Sequence, residues 1–378
     1  MSFAASPGRP AWAQIDLGAV RHNAAALGAL AAPARLCAVV KAGGYGHGIV
    51  PVSQAALEGG AIWLAVAMVE EGADLREAGI EAPVLLLSEP PHASMADVVE
   101  LGLTPTLYTQ AGVEAAAKAV AHKGAPPLAV HIKVDTGMHR VGAAPADAFA
   151  VALAVAERPE LRLGGLWTHF AKADEPGDPF TAHQHAAFLR LVDDLAAAGL
   201  RPPLLHACNS AAAIAHPDAR HDLVRCGITM YGVNPGPAID GLVALRPALS
   251  LRAQVSYVKE VTAGEGVSYG LRRRFDRRTV VATVPLGYAD GVPWRLGVAG
   301  GEVLIGGQRR AIAGSVTMDQ ITVDCGDDAS IVAGDEVVLL GRQGDESVGA
   351  WEWASRAGTI AYEILCGIGP RVPKHYVG

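Results

Sequence analysis

The sequence predicts an α/β fold, with an N-terminal (β/α)8 barrel of the TIM type followed by a mainly β C-terminal domain. Eight short apolar runs alternate with alanine-rich helical segments over the first two-thirds of the chain, which is typical of such a barrel. Helical periodicity nearly disappears from about Ala244, where strand-like runs separated by glycine pairs begin. We therefore expect a barrel domain over residues 1–243 and a β-rich domain over residues 244–378.

The apolar runs of the first domain are predicted strands, and the segments between them are predicted helices. A doubly wound sheet alternates strands and helices in the same way, so the number of runs is what favours the barrel. In the helical segment Thr181–Leu200, apolar residues recur at i, i+3, i+4 and i+7 from Phe188, and Gly199 can end the helix. The eight runs are Leu36–Lys41, Trp63–Ala67, Pro83–Leu87, Leu103–Tyr108, Leu128–Val134, Leu163–His169, Leu204–Cys208 and Leu223–Met230.

The second domain shows one helical pattern, Val348–Ala357, among short apolar runs. Gly300-Gly301 and Gly306-Gly307 are turn signals between these runs. The predicted strands include Leu251–Lys259, Thr279–Val284, Glu302–Ile305, Ile321–Asp324 and Glu336–Leu340.

Composition and charge exclude several classes of function. The 378-residue chain is 51% hydrophobic, so it can bury a large core, and its net charge of −7 argues against a nucleic-acid partner. Met1–Gln14 lacks a signal-peptide pattern, and no run reaches the roughly 18 apolar residues of a membrane span. The five cysteines are scattered without metal-binding spacing, which predicts free thiols, a cytoplasmic location and no metal site.

The segment Ala38–Gly48 is the most informative part of the chain. An apolar run ends in Lys41, and four glycines, Tyr45 and His47 follow at once. Taken alone, Lys41 also fits a strand-end lysine whose ammonium reaches solvent. A lysine at the end of a buried strand is costly, however, and that cost is accepted where an amine must bond to an aldehyde cofactor.

Reactive residues end five of the eight predicted strands. The active site of a (β/α)8 barrel lies at the carboxyl ends of its strands, so these residues are expected on one face. In chain order they are Lys41 at the first strand, Lys133, Asp135 and Arg140 at the fifth, Thr168 and His169 at the sixth, Asn209 and Ser210 at the seventh, and Arg225, Gly227 and Ile228 at the eighth.

Eight motifs, spread in order over nearly the whole chain, carry a family resemblance. They are AVVKAGGYGHG (38–48), HIKVDTGMHRVG (131–142), WTHFAKADE (167–175), HACNSAA (206–212), VRCGITMYG (224–232), GVSYG (266–270), PLGYADG (285–291) and AGSVTMDQ (313–320). With them the chain resembles the alanine racemases, pyridoxal 5'-phosphate (PLP) enzymes of fold type III. The resemblance implies an isomerase that interconverts L-alanine and D-alanine for cell-wall synthesis or amino-acid catabolism. It also implies a head-to-tail homodimer with shared active sites.

The resemblance assigns two bases and the groups that support them. Lys41 is implied to be the Schiff-base lysine and the base on one face of the substrate α-carbon, and Tyr269 of the partner subunit the base on the other. A phenol with a pKa of about 10 needs nearby positive charge and hydrogen bonding, which His169 beside Arg225 would supply. Arg140 is implied to orient the substrate carboxylate or a cofactor oxygen. Lys133 stands where the family can carry an N-carbamate that pairs with Arg140.

The remaining assignments concern the cofactor and the substrate pocket. Arg225 is implied to face the pyridine nitrogen; because arginine does not readily give up its proton, the ring stays unprotonated and side reactions are limited. The phosphate is implied to bind hydroxyls and backbone N–H groups around a glycine turn, which form an anion nest. The resemblance implies that the phosphate site comprises Tyr45, Ser210, Gly227 and Ile228, and that Asn209 and His169 also bind the cofactor. Met318 and Asp319 of the partner subunit would line the substrate pocket, with Tyr288 at the entrance.

Two departures from the family pattern bear on the same end of the pocket. Gly43-Gly44 replaces the family's usual Asn-Ala pair, and we expect a more mobile loop there. Pro370 stands where the family usually has a tyrosine, so one phosphate contact and part of the narrow entrance are missing. The sequence therefore predicts a wider substrate channel or a more loosely held PLP.

Three other functions remain open from the sequence. One is a racemase of relaxed specificity that acts on serine or basic amino acids. Another is a fold type III decarboxylase, which brings a glutamate to the pyridine nitrogen, so that Arg225 argues against it. The third is a non-catalytic PLP carrier, usually a lone barrel, so that the C-terminal domain with Tyr269 argues against it.

Overall fold

The computed structural model describes residues 8–378, which form two compact units. One unit runs from Gly18 to Arg246, and the other combines the N-terminal strand with the chain from Pro247 onward. The start of the predicted first domain, residues 1–7, lies outside the described residues.

The first unit contains eight parallel strands, in the order and at the places that the sequence predicts. They form two four-stranded sheets, β4-β3-β2-β9 and β5-β6-β7-β8. The Leu86 N–H donates to the Thr104 carbonyl and the Asp222 N–H to the Leu205 carbonyl, so the two sheets join at both edges into one barrel. The strands are β2 (Arg35–Val39), β3 (Trp63–Val66), β4 (Val84–Leu86), β5 (Thr106–Leu107), β6 (Leu128–Lys133), β7 (Leu161–Trp167), β8 (Leu205–His206) and β9 (Leu223–Cys226).

The barrel strands are apolar on both faces because helices cover the outside and packed side chains fill the inside. The long helix Phe180–Ala197 buries the predicted apolar face, which includes Phe188 and Leu195. The eighth strand is shorter than the predicted run Leu223–Met230, since Gly227 leaves the extended conformation and a 3-10 turn, Ile228–Tyr231, follows. The helices of this unit are Leu17–Ala31, Ile49–Glu58, Val69–Glu77, Met95–Glu100, Gln110–Lys123, Pro145–Ala156, Phe180–Ala197 and Ser210–Ala215.

The second unit is mainly β, as predicted. Its largest sheet has the order β16-β15-β18-β10-β1-β20, with β19 on β18, and β11-β14-β17 and β12-β13 form two smaller sheets. Two helices, Ala350–Ala357 and Ala361–Cys366, follow the strands. The strands are β1 (Ala11–Asp16), β10 (Leu249–Gln254), β11 (Tyr257–Val261), β12 (Gly266–Val267), β13 (Arg273–Arg274), β14 (Thr279–Val284), β15 (Glu302–Ile305), β16 (Gln308–Ala311), β17 (Ile321–Asp324), β18 (Glu336–Gln343), β19 (Glu346–Val348) and β20 (Lys374–Val377).

The first strand of the chain does not belong to the barrel, although the predicted barrel domain begins at residue 1. Strand β1 pairs antiparallel with β10 and parallel with β20. The barrel closes through the pairing of β2 with β9 and leaves no edge for a ninth strand. The predicted run Leu251–Lys259 is likewise two strands, β10 and β11, which lie in different sheets. Among the described residues, no helix has both the length and the apolar character needed to cross a bilayer.

Candidate active site

Lys41 follows β2 at the carboxyl end of the barrel and opens a left-handed turn. Ala42, Gly43, Gly44 and Tyr45 all have positive φ, between 50 and 66°. Glycine adopts this conformation at no steric cost, whereas other L-residues lose roughly 1–2 kcal/mol each. The turn is hydrogen-bonded, for example from the Gly46 N–H to the Ala42 carbonyl at 3.0 Å. We expected the pair Gly43-Gly44 to loosen this loop. The left-handed conformation of the turn explains instead why glycines stand at these two positions.

A cradle of hydroxyls and amides lies where β9 ends. The Gly227 N–H donates to the Ser210 Oγ at 2.8 Å, and the Thr229 Oγ1 donates to the same atom at 3.0 Å, so the Ser210 proton remains to be donated. A Cβ on Gly227 would lie only 2.3 Å from the Tyr45 Oη, so the phenol occupies the space of the missing side chain. The first N–H groups of the 3-10 turn that opens at Ile228 have no partner within the turn. This donor set, without a carboxylate, fits a phosphate.

The basic residues that the sequence predicts for the site form a cluster around Lys133. Lys133 is 4% exposed, and its Nζ lies 4.2 Å from the centre of the Trp167 ring. Burial, and then the positive charges of Arg225, Arg140 and Lys41, lower the pKa of Lys133 to about 7 against the opposing effect of Asp135. The site therefore carries an excess of positive charge, which suits an anionic ligand.

Arg225 lies at the base of the site, opposite Cys37 in the pairing of β9 with β2. It is 3% exposed, and burial lowers the pKa of its guanidinium to about 10, so it remains charged at neutral pH. Its Nη1 donates to the His206 carbonyl at 2.9 Å, and its Nη2 donates to the Thr168 carbonyl at 2.7 Å. The guanidinium carbon lies 4.5 Å from the centre of the Trp167 ring.

Two buried histidines, which the sequence analysis did not single out, support Arg225. Its Nη1 also lies 2.9 Å from the His206 Nδ1, and the His206 Nε2 lies 2.9 Å from the His131 Nδ1. Burial, together with the charge of Arg225, lowers the pKa of His131 to about 3 and that of His206 well below its usual range. Both imidazoles are neutral and accept or donate without adding charge. In the sequence these two histidines are visible only as the first residues of the motifs HIKVDTGMHRVG and HACNSAA.

His169 follows β7 and Asn209 follows β8, both at the carboxyl end of the barrel. The His169 Nδ1 lies 3.4 Å from the Arg225 Nη2, and burial, then the charge of Arg225, holds the pKa of His169 well below its usual value. The positive charge at this place therefore belongs to Arg225. The Asn209 Oδ1 accepts the Ala212 N–H at 3.0 Å, and its Nδ2 donates to the Phe170 carbonyl at 3.2 Å. Asn209 thus caps the helix that begins at Ser210, and its contact with the cofactor stays a prediction.

The second unit presents Tyr269 on its surface. The side chain is 76% exposed and stands in a 3-10 turn, Tyr269–Leu271, flanked by Ser268 with φ of 60°. Ser315 holds the turn from both sides: its Oγ donates to the Tyr269 carbonyl at 2.9 Å, and its carbonyl accepts the Ser268 Oγ at 2.6 Å. An exposed phenol on a fixed turn is suited to reach into a neighbouring molecule.

Tyr288, Met318 and Asp319 lie together in the second unit. The Tyr288 N–H donates to the Thr317 carbonyl at 2.9 Å, and the next N–H, that of residue 289, donates to the Met318 carbonyl at 3.1 Å. Tyr288 is 46% exposed and Met318 is 52% exposed. The Arg371 Nη2 donates to the Asp319 Oδ1 at 2.6 Å.

A buried carboxylate that the sequence analysis missed anchors this group. Asp290 is fully buried, and Arg9 donates to both of its oxygens at 2.8 Å. Asp290 also accepts the Gly287 N–H at 2.9 Å and lies 3.4 Å from the Arg371 Nε. Pro370, beside Arg371, is exposed. Asp290 is only one of many acidic residues in the sequence, and its burial becomes visible only in the folded chain.

The cysteines near the site are not nucleophiles. Burial raises the pKa of the Cys37, Cys208 and Cys226 thiols to about 12, against the lowering effect of Arg225. All five cysteines have free thiols. This agrees with the interpretation of Cys208 and Cys226 as small buried apolar residues.

A (β/α)8 barrel with polar and charged residues gathered at the carboxyl ends of its strands, together with a mainly β second unit, is the architecture of the fold type III PLP class. The chain matches the alanine racemase N-terminal domain over residues 15–235 and the alanine racemase C-terminal domain over residues 248–376. The chain therefore belongs to the alanine racemase family, as the motifs predicted. The predicted enzyme class, an isomerase, is confirmed, and PLP dependence follows from the family.

Relatives and solved structures cover nearly the whole chain. The chain is 46% identical over 370 residues to the alanine racemase of Symbiobacterium thermophilum, a match covering 98% of both chains. It is 45% identical to that of Frankia casuarinae, over 97% of this chain and 96% of the relative. The crystal structure of alanine racemase from the D-cycloserine-producing Streptomyces lavendulae superposes with a TM-score of 0.93 at 40% identity and covers 99% of this chain and 98% of its own. The predicted fold class is confirmed.

Proposed function

We propose that this chain interconverts L-alanine and D-alanine with PLP, and that Lys41 and Tyr269 of the partner subunit act as the two bases. The observation that carries the proposal is that Lys41, the phosphate cradle and the charged Arg225 meet at one end of the barrel. When bound, PLP supplies an electron-withdrawing system that acidifies the α-proton of an attached amino acid. Lys41 would hold it through the ε-amine and Ser210, Tyr45 and Gly227 through its phosphate.

Arg225 supports a racemase over a decarboxylase. Both of its terminal nitrogens donate to barrel carbonyls, so the contacts described leave the Nε–H as the donor we assign to the pyridine nitrogen. The guanidinium keeps its proton at neutral pH, since burial lowers its pKa only to about 10. A ring nitrogen that is not protonated draws electrons weakly, which favours return of the proton over other outcomes.

Racemisation requires a proton to leave one face of the α-carbon and return on the other, so two bases serve it directly. Lys41 is the proposed base on one face, and the exposed phenol of Tyr269 supports the other assignment. We propose that Tyr269, Met318, Asp319 and Tyr288 complete the site of a second copy in a head-to-tail homodimer. We also propose that the enzyme works in the cytoplasm and supplies D-alanine for cell-wall synthesis or serves alanine catabolism.

Arg140 and Lys133 would hold the substrate carboxylate or the oxygen of the cofactor ring. Arg140 is exposed, while Lys133 is buried against Trp167. Carbamylation would replace the cation of Lys133, which the neighbouring positive charges repel, by an anion that pairs with Arg140. The same positive charges would favour the anionic form.

A racemase of wider specificity is the second candidate, and Pro370 is the observation that favours it. Proline carries no hydroxyl and is smaller than the tyrosine that the family usually places there. The entrance would therefore admit side chains larger than the methyl group of alanine.

The cofactor assignment is tested by an absorbance spectrum. We expect a band at about 420 nm in the wild-type protein that is lost in Lys41→Ala. In Tyr269→Phe we expect loss of α-proton exchange from one alanine enantiomer, with Tyr257→Phe as the control because Tyr257 is an exposed tyrosine of the same unit. Exchange that persists from both enantiomers in Tyr269→Phe would show that the assignment of the second base is wrong.

The shared site is tested by mixing two inactive variants. A dimer of one Lys41→Ala subunit and one Tyr269→Phe subunit has one site with both bases intact if each site takes Tyr269 from the partner. Random exchange of subunits should then restore about one quarter of the wild-type activity. If both bases come from the same chain, mixing restores none.

A further inference from the structure

Glu71 is a buried carboxylate that the proposed reaction does not use. It lies in the helix Val69–Glu77 and is 7% exposed. Its Oε1 accepts the Ala42 N–H at 2.5 Å, and its Oε2 accepts the N–H groups of Ala67 at 2.8 Å and Met68 at 3.2 Å. One carboxylate therefore joins the loop after β2 to the loop after β3.

The contact with Ala42 falls on the residue that follows Lys41. Ala42 has φ of 55° and ψ of 49°, and it is the first of the four left-handed residues. An alanine in this conformation is strained by its Cβ, so an isolated turn of this sequence would leave it. A hydrogen bond to a charged acceptor is about twice as strong as one between neutral groups and can hold such a residue in place.

We propose that Glu71 is a positioning residue for the active site: its carboxylate holds the left-handed turn at Ala42 and thereby places Lys41 and Tyr45. This inference rests on the proposed roles of Lys41 and Tyr45 for its functional consequence, but the structural effect does not depend on them. Contact with Met68 alone would make Glu71 an ordinary helix cap. The bond to Ala42, 29 residues away in sequence, extends its effect to the site.

The variant Glu71→Gln tests the proposal because it keeps the shape and removes the charge. Its amide has one acceptor oxygen for three N–H donors, so one side of the bridge is lost. We expect amide exchange in residues 41–48 of the cofactor-free protein to become about tenfold faster, while exchange in β6 stays unchanged. We expect PLP to bind about tenfold more weakly. The control is Glu70→Gln, the exposed neighbour in the same helix, which should match the wild type.

Ala42→Gly provides the rescue. Glycine occupies the left-handed region without strain, so Glu71→Gln combined with Ala42→Gly should recover most of the wild-type exchange rate at residues 41–48. If Glu71→Gln alone does not fold, recovery of soluble protein in the double variant supports the proposal, and continued failure overturns it.

Three results would overturn the inference. They are unchanged exchange at residues 41–48, equal acceleration throughout the chain, and no rescue by Ala42→Gly. Because exchange is measured without cofactor, local loosening in Glu71→Gln remains a valid result even if Lys41→Ala keeps its absorbance band. Retention of the absorbance band in Lys41→Ala would count against the proposed function and would leave the role of Glu71 in the turn intact.

Discussion

Adding one methyl group at Gly227 tests the geometry of the phosphate cradle. In Gly227→Ala the new Cβ would lie 2.3 Å from the Tyr45 Oη and 3.0 Å from its Cζ. Ordinary contact needs about 3.4 Å, so the hydroxyl must retreat by about 1 Å. Gly227 has φ of −108°, so the strain of a left-handed residue is not part of this cost.

The cost of this overlap depends on how freely Tyr45 can move. Its side chain is 8% exposed and stacks on Tyr231 with ring centres 4.8 Å apart, so there is little room to retreat. Overpacking of this kind costs about 1–3 kcal/mol. The lower entropy of the unfolded chain returns about 0.4–1 kcal/mol. We expect Gly227→Ala to lower the free energy of unfolding by about 1–2 kcal/mol and to weaken PLP binding about tenfold.

A double-mutant cycle measured by urea unfolding of the cofactor-free protein isolates the contact. Tyr45→Phe removes the atom at 2.3 Å, so Gly227→Ala should cost about 1 kcal/mol less in that background. Gly28→Ala is the matched control, because a Cβ there meets nothing within 4 Å and the helix Leu17–Ala31 should gain about 0.5–1 kcal/mol. Equal costs of Gly227→Ala with and without the Tyr45 hydroxyl would refute the reasoning.

Three further changes probe the other parts of the site. With its pKa lowered to about 7, chiefly by burial, Lys133 is about one-tenth neutral at pH 6 and about nine-tenths neutral at pH 8. Labelling with 13C-bicarbonate followed by NMR should show a carbamate signal that grows over this range. A signal that does not change with pH would contradict carbamylation through the neutral amine. Pro370→Tyr should raise the ratio of kcat/KM for alanine over serine and arginine, whereas a wild-type protein already strict for alanine would remove the basis for a wide channel. At Gly43, the loss of stability in thermal unfolding should be smallest for asparagine, about 1–2 kcal/mol for alanine, and largest for valine. The reverse order would exclude a left-handed turn.

Most of the fold could be predicted from the sequence because each barrel strand is a continuous apolar run that is buried on both faces. The eight predicted runs correspond to strands β2 to β9. The first strand of the chain escaped this reasoning. Ala11–Asp16 alternates buried and half-buried residues and is not a continuous apolar run, and its partners are Leu249–Gln254 and Lys374–Val377, far away in sequence. Pairing over such separations is decided by the tertiary fold and leaves no local pattern.

The predicted site residues of the barrel unit lie together because the carboxyl ends of its strands share one face. The residues that hold the turn after Lys41, or that anchor the group around Tyr288 in the second unit, were not predicted. Glu71 and Asp290 are ordinary acidic residues in the sequence, and only the folded chain shows that they are buried against backbone amides or arginines. His206 was visible only as the first letter of a motif. Its role depends on a 2.9 Å approach to Arg225 that no periodicity encodes.

Two acidic residues in the loops at the carboxyl end of the barrel make hydrogen bonds with backbone amides. The Asp135 Oδ1 accepts the N–H groups of Gly137 and Met138, both at 2.9 Å, and the Glu71 carboxylate accepts backbone N–H groups as well. The negative charge of Asp135 raises the pKa of Lys133 but does not outweigh burial and the charges of Arg225 and Arg140, so the cluster stays short of negative charge. The phosphate of the cofactor and the carboxylate of the substrate would supply negative charge there, so their binding relieves the repulsion among these basic side chains.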